Sequence, residues 1–91
     1  MLYMVIERYR HGAEPVYARF HERGRMMPRG LEYVDSWVAC DRASCFQLMR
    51  TDDPALFDAW MASWSDLVDF EVVPVMTSAE AAALSSGPVE A

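Results

Sequence analysis

The chain has no lysine: all eight basic residues are arginine, set against fourteen acids, for a net charge of −6. So acidic a chain is a poor partner for nucleic acid or an anionic membrane. Cysteine is scarce as well. Cys40 and Cys45 are too few to form a disulfide framework, and a reducing cytoplasm is the default compartment. No apolar run is long enough to span a bilayer. Glu7, Arg8 and Arg10 interrupt the apolar start too early for a signal peptide. There is no phosphate loop, no serine nucleophile elbow and no dinucleotide fingerprint, which removes several large enzyme classes. The two histidines, His11 and His21, show no metal-ligand spacing to each other or to Cys and acids, so no metal and no cofactor is expected.

What the chain does have is apolar bulk. Of its 91 residues 53% are hydrophobic, with three Trp, four Tyr and four Phe. A chain of this length forms one domain with a thin core of its own, and excess apolar surface favours self-association. Charge is uneven along it. From Arg8 to Arg29 six arginines face two acids, a net of +4; from Asp41 onward two arginines face nine acids, a net of −7. One reading is solvated faces of opposite sign; the other is a basic patch that attracts a small anionic ligand.

Leu2-Tyr3-Met4-Val5-Ile6-Glu7 is apolar on both faces of a strand until Glu7. Such a strand belongs inside a sheet covered on both sides. His11-Gly12 is a turn, and a helix starts near Ala13 with Pro15 and Glu14 in its first turn. Val16, Phe20 and Met27 follow on one stripe, and Pro28-Arg29-Gly30 ends it. Leu31–Cys40 and Cys45–Arg50 read as two strands joined by a hairpin loop. Their register is open. Facing Cys40 directly with Cys45 sets Trp37 against Leu48; the preferred register, shifted by one, sets Trp37 against Gln47 and Val38 against Phe46. It joins Val34, Val38, Phe46 and Leu48 on one face and Tyr33, Asp35, Trp37 and Gln47 on the other. Asp53-Pro54 opens a second helix carrying Leu56, Phe57, Trp60, Met61 and Trp64, with Trp60 and Trp64 as core residues. Phe70–Val75 is a fourth strand, and Pro74 in it argues for an edge position or a strand end.

The order strand, helix, strand, strand, helix, strand is the ferredoxin-like βαββαβ arrangement, an α+β fold. It predicts a four-stranded antiparallel sheet, first and third strands central, with both helices on one face. The domain spans residues 1–76. Residues 77–91 form a tail in which Ala79–Leu84 can make a short helix before a disordered end. One sheet face is left bare. The alternation assigns Tyr3, Val5, Tyr33, Trp37 and Met49 to it, too apolar for water, so a homodimer through this face is expected.

The pieces Leu2-Tyr3-Met4-Val5-Ile6-Glu7, Tyr17-Ala18-Arg19-Phe20, Gly24-Arg25-Met26-Met27-Pro28, Leu31–Trp37, Cys45–Met49 and Trp64–Val75 resemble a bacterial family of small uncharacterised proteins, a domain of unknown function, over residues 1 to about 76. The resemblance implies the dimeric α+β-barrel class, whose members include cofactor-free monooxygenases, haem-degrading enzymes, lactone isomerases and plain ligand binders.

Glu7, Asp35 and Gln47 are the polar residues on the face read as bare. Beside Tyr3, Tyr33 and Trp37 they would make an apolar pocket with a few convergent polar groups, the usual form of a small-molecule site. A buried Glu7 would have a raised pKa and could serve as a general base. Alternatively, Glu7 and Asp35 pair with Arg8, Arg10 or Arg50 at a dimer rim. Three functions stay open: a homodimer binding a small apolar or aromatic ligand, a cofactor-free monooxygenase or isomerase using Glu7, and a purely structural or regulatory dimer.

Overall fold

The computed structural model describes residues 1–85. Four strands, β1 (Leu2–Tyr9), β2 (Glu32–Val38), β3 (Ser44–Arg50) and β4 (Val68–Val75), form one antiparallel sheet in the order β2-β3-β1-β4. Helix α1 (Ala13–Arg23) joins β1 to β2, α2 (Leu56–Ala62) joins β3 to β4, and α3 (Ser78–Ala83) follows β4. This is the ferredoxin-like βαββαβ order, with β1 and β3 central. Gly12, at φ 79°, turns the chain into α1, and Gly24, at φ 68°, ends it by donating its N–H to the Phe20 carbonyl at 2.7 Å. Both angles lie in the left-handed region where a side chain is strained.

The sheet sorts its residues by parity. Tyr3, Val5 and Glu7 of β1 face the helices with Cys45, Gln47 and Met49 of β3. Val68, Phe70 and Val72 of β4 join them through their pairing with Tyr9, Glu7 and Val5. Val16 of α1 and Phe57 and Trp60 of α2 close over this face, and Val5, Met49, Trp60 and Val68 are wholly buried. Edge-to-face ring contacts run from Tyr3 to Phe57 (5.1 Å), on to Trp60 (6.5 Å) and then to Phe70 (5.2 Å). Such contacts add about 0.5–1.5 kcal/mol each beyond the area they bury.

The covered face is therefore the one the alternation assigned to be bare. The open face carries Leu2, Met4 and Ile6 of β1, Phe46 and Leu48 of β3, and Val73 and Val75 of β4. Arg8 meets Glu71 at 3.5 Å and Arg10 meets Asp69 at 2.7 Å along one end of it. Those charges explain the inversion. Both faces of β1 are apolar, so β1 alone does not choose. β4 alternates Asp69 and Glu71 with Phe70 and Val72, and only the charged side can meet water.

The hairpin adopts neither register anticipated from sequence. Val38 pairs with Cys45, Trp37 with Phe46, Ser36 with Gln47 and Asp35 with Leu48, and a bulge between Tyr33 and Asp35 resets the pairing so that Tyr33 meets Met49. The extra residue, Val34, breaks the alternation. Tyr33 turns to the helix side while Asp35 and Trp37 stay on the open one. Cys40 lies exposed in the hairpin loop, Cys45 is buried in β3, and both are free thiols.

Smaller differences lie at element ends. Helix α2 begins at Leu56, two residues after Pro54, because Leu56 and Phe57 first donate to the Asp53 and Pro54 carbonyls in tight turns. Trp64 sits just beyond α2, and β4 begins at Val68 rather than Phe70. The short C-terminal helix forms, with a Thr77–Glu80 capping box at its start. The disorder expected for the last residues lies outside the described residues.

Candidate functional site

A cavity of about 100 Å³ lies between the sheet and the two helices. Its floor is the polar pair Glu7 and Gln47. They sit diagonally on adjacent strands, because β1 and β3 pair Glu7 with Cys45 and Val5 with Gln47. The Gln47 amide donates to Glu7 Oε2. The pair is 5% and 7% exposed, so more than nine-tenths of each is out of water. Gln47 Oε1 is buried and accepts no hydrogen bond. An orphaned buried acceptor costs about 1–3 kcal/mol, so this floor is built against stability unless something donates to it.

Burial raises the Glu7 carboxyl to about 7, against the Gln47 hydrogen bond and the Arg25 charge, which pull it down. Cys45 beside it is pushed up to about 11, by burial first and then by the charge of Glu7. Burial likewise drives the Tyr9 phenol upward. Near neutral pH the floor thus offers one carboxyl poised between its two forms, beside a thiol and a phenol that stay protonated. Cys45 is not an activated nucleophile.

The walls are rings and aliphatic chains: Val16, Tyr17 and Phe20 from α1, Trp60 and Trp64 from α2 and the turn after it, and Val38 from β2. Both indole N–H groups donate to one acceptor, the Arg25 carbonyl, Trp60 at 3.0 Å and Trp64 at 3.1 Å. This double anchor fixes the loop after α1, where Met26 is held at φ 56°. It also aims the Arg25 side chain. The guanidinium lies 3.8 Å over the Tyr33 ring and 5.1 Å from that of Phe20, and it lines the cavity.

Most arginines of the basic segment have surface partners. Arg8 and Arg10 pair with Glu71 and Asp69, and Arg23 with Glu22. Arg19 grips Asp66 through two bonds of 2.7 Å, which holds the Asp66 carboxyl down at about 2. Among the described residues the Arg25 guanidinium makes no ion pair and no side-chain hydrogen bond.

The six residues singled out from sequence separate here. Glu7 and Gln47 come together at the cavity floor. Tyr33 lies under Arg25, its hydroxyl 2.6 Å from that of Ser36, a residue of the cavity edge. Tyr3 packs against Phe57 in the core, away from the cavity. Asp35 and Trp37 are on the opposite face, Asp35 exposed and Trp37 52% exposed. A chamber that contains Glu7 therefore does not lie between facing sheets. Nor does Glu7 reach Arg8, Arg10 or Arg50, which stand on the open side or at its rim. Sequence reasoning missed Arg25, Tyr9 and Ser36, and favoured core packing for Trp60 and Trp64. The one signal was the basic segment itself, without a means of picking Arg25 from six.

Among the described residues no three His, Cys, Asp or Glu side chains stand close enough to hold a metal ion, and His11 and His21 are exposed. No helix among them is long and apolar enough to cross a membrane. No curated protein and no solved structure matches the chain. The model of a domain of unknown function, DUF3303, matches residues 1–88, past Met76, where the resemblance read from sequence stops. With nearly its whole length inside that match, the chain belongs to the DUF3303 family.

Proposed function

We propose that the protein is a homodimeric binding module that holds a small apolar or aromatic molecule in the cavity between its sheet and helices. The observation that carries this reading is Gln47 Oε1, buried on the cavity floor without a donor. A ring-lined hollow with a few convergent polar groups is the usual form of a small-molecule site. Dimerisation uses the other face. A four-stranded sheet with strands of seven and eight residues presents roughly 450–500 Å² of flat footprint, as large as the patches that mark interaction sites on single chains. A reducing cytoplasm suits the two free thiols.

Native mass spectrometry of the purified protein tests both parts. The expected result is a dimer that carries a co-purified molecule of low mass. Protein that arrives empty, and that takes up no monocyclic aromatic probe at millimolar concentration, would overturn the binding reading and leave a structural dimer.

A second reading has its own support. A carboxyl held at about 7 in a ring-lined cavity is suited to take a proton from a bound molecule and return it elsewhere, as a cofactor-free isomerase or monooxygenase requires. Glu7→Gln separates the two: a binder keeps its ligand and loses nothing, whereas an enzyme keeps its ligand and loses turnover.

A further inference from the structure

The cavity joins two unmet demands of opposite kind. Arg25 brings a guanidinium whose N–H groups have no acceptor among the described residues, and Gln47 brings a buried oxygen with no donor there. We propose that the occupant is a monocyclic aromatic acid whose anionic group meets Arg25 while a hydroxyl or amino group on the same ring donates to Gln47 Oε1. This rests on the ligand-binding reading above and narrows it to a chemical class.

Size sets the first limit. A dry cavity of about 150 Å³ holds benzene, so roughly 100 Å³ with an open mouth takes at most one ring, its substituents reaching toward the mouth, and not a fused system. The walls set the second. Tyr17, Phe20, Trp60 and Trp64 offer ring surfaces on which a flat molecule packs edge-to-face or offset. Polarity sets the third. Arg25 is the one cation among the described residues that line the cavity, and its guanidinium carbon lies 3.8 Å over the Tyr33 ring; a planar carboxylate is the partner that a guanidinium fork fits. A neutral apolar ring would satisfy the walls and leave both polar groups as they are. Glu7 does not repel the anion strongly, because a large share of it is uncharged at neutral pH.

Isothermal titration calorimetry of the full chain at pH 7 tests this with 2-, 3- and 4-hydroxybenzoate, benzoate, phenol and toluene. At least one hydroxybenzoate isomer is expected to bind about tenfold more tightly than phenol, which lacks the anion, and severalfold more tightly than benzoate, which lacks the donor. Arg25→Met should abolish the preference over phenol, and Gln47→Leu the preference over benzoate. Because each readout is a ratio between two ligands on one protein, a partial loss of folding cancels; the wild-type ratios test the idea even where a variant does not fold. Phenol or toluene binding as tightly as every hydroxybenzoate would overturn the acid assignment and leave the cavity a binding site. An Arg25→Met protein with unchanged ratios would do the same. No binding by any of the six compounds would overturn both this assignment and the reading beneath it.

Discussion

Replacing Glu7 by Gln isolates the energetic consequence of the buried carboxyl. An ordinary Glu titrates near 4.5, and in the fold burial moves Glu7 to about 7. The folded chain thus holds this proton more tightly than the unfolded chain does. The stability it contributes is fully present below pH 4.5 and is lost as pH rises through about 7. Between those two values the loss runs at about 1.4 kcal/mol per pH unit, for a total of about 3 kcal/mol. Against a whole-domain stability of about 5–15 kcal/mol that is a large share. The Glu7→Gln variant is neutral at this position throughout and can still hydrogen-bond Gln47. Urea unfolding at fixed protein concentration from about pH 4 to about pH 8.5 should give two curves that lie close together at the acid end. They should diverge above about pH 5, with the variant about 3 kcal/mol more stable than wild type at the alkaline end. Parallel curves would refute the argument. A wild type that gains on the variant as pH rises would refute it more sharply, because it would mean that Arg25 stabilises the Glu7 carboxylate more than burial penalises it.

On the open face, Leu48→Asp places a charge among Met4, Phe46 and the β2 edge, and should convert a sedimenting dimer to monomer at micromolar concentration; wild type that is already monomeric would sink the dimer. Trp60→Phe and Trp64→Phe each remove one of the two donors to the Arg25 carbonyl and should cost about 1–2 kcal/mol in chemical denaturation. The double variant should lose at least about 0.5 kcal/mol more than the sum, since the carbonyl then has neither indole; strict additivity would contradict the shared-acceptor picture. With a thiol reagent at about pH 8, Cys40 should react at once and Cys45 only on unfolding, because Cys45 is buried and its thiol is pushed up to about 11; two thiols reacting at one rate would contradict it.

The element order and the sheet topology could be read from sequence because periodicity and punctuation are local properties. The helix starting near Ala13, the hairpin, Pro74 on an edge strand and the short helix after Met76 all follow from neighbours in the chain. Which face is covered is not local. Leu2-Met4-Ile6 and Tyr3-Val5 are equally apolar, and only the pairing of β1 with β4, which places Arg8 and Arg10 beside Glu71 and Asp69, breaks the tie. The bulge at Val34 has no sequence mark, yet it moves Tyr33 to one side of the sheet and leaves Asp35 and Trp37 on the other. So the pairing of Glu7 with Gln47 was within reach, being two polar residues in apolar strands. The identity of their neighbours was not, because those arrive from α1, the following loop and α2. Arg25 is the clearest case: its role comes from a carbonyl clamped by two indoles 35 and 39 residues away.

The two faces of the sheet answer different physical demands. The open face is apolar at its centre, with the Arg8–Glu71 and Arg10–Asp69 pairs at one end, Arg50–Glu32 at the other and Asp35 on the edge strand, an apolar centre with a polar rim being the usual anatomy of an interface. The covered face would be more stable with aliphatic side chains at positions 7 and 47, since a satisfied polar pair gains little over good packing and an unsatisfied one costs more. Instead it keeps a carboxyl that opposes folding at neutral pH and an oxygen without a donor, and brings to them an arginine that has no carboxylate partner among the described residues, although five other arginines each have one there. Each departure taken alone has a structural excuse: a surface arginine can go unpaired, and a buried amide can be left half satisfied. The ligand proposed above gives their meeting in one hollow a simpler cause. A molecule that supplies an anion and a donor together removes two of these penalties at once and seals the third from water. On the proposed reading the cavity is therefore the place in this fold where a ligand would raise stability, which is the thermodynamic meaning of a binding site.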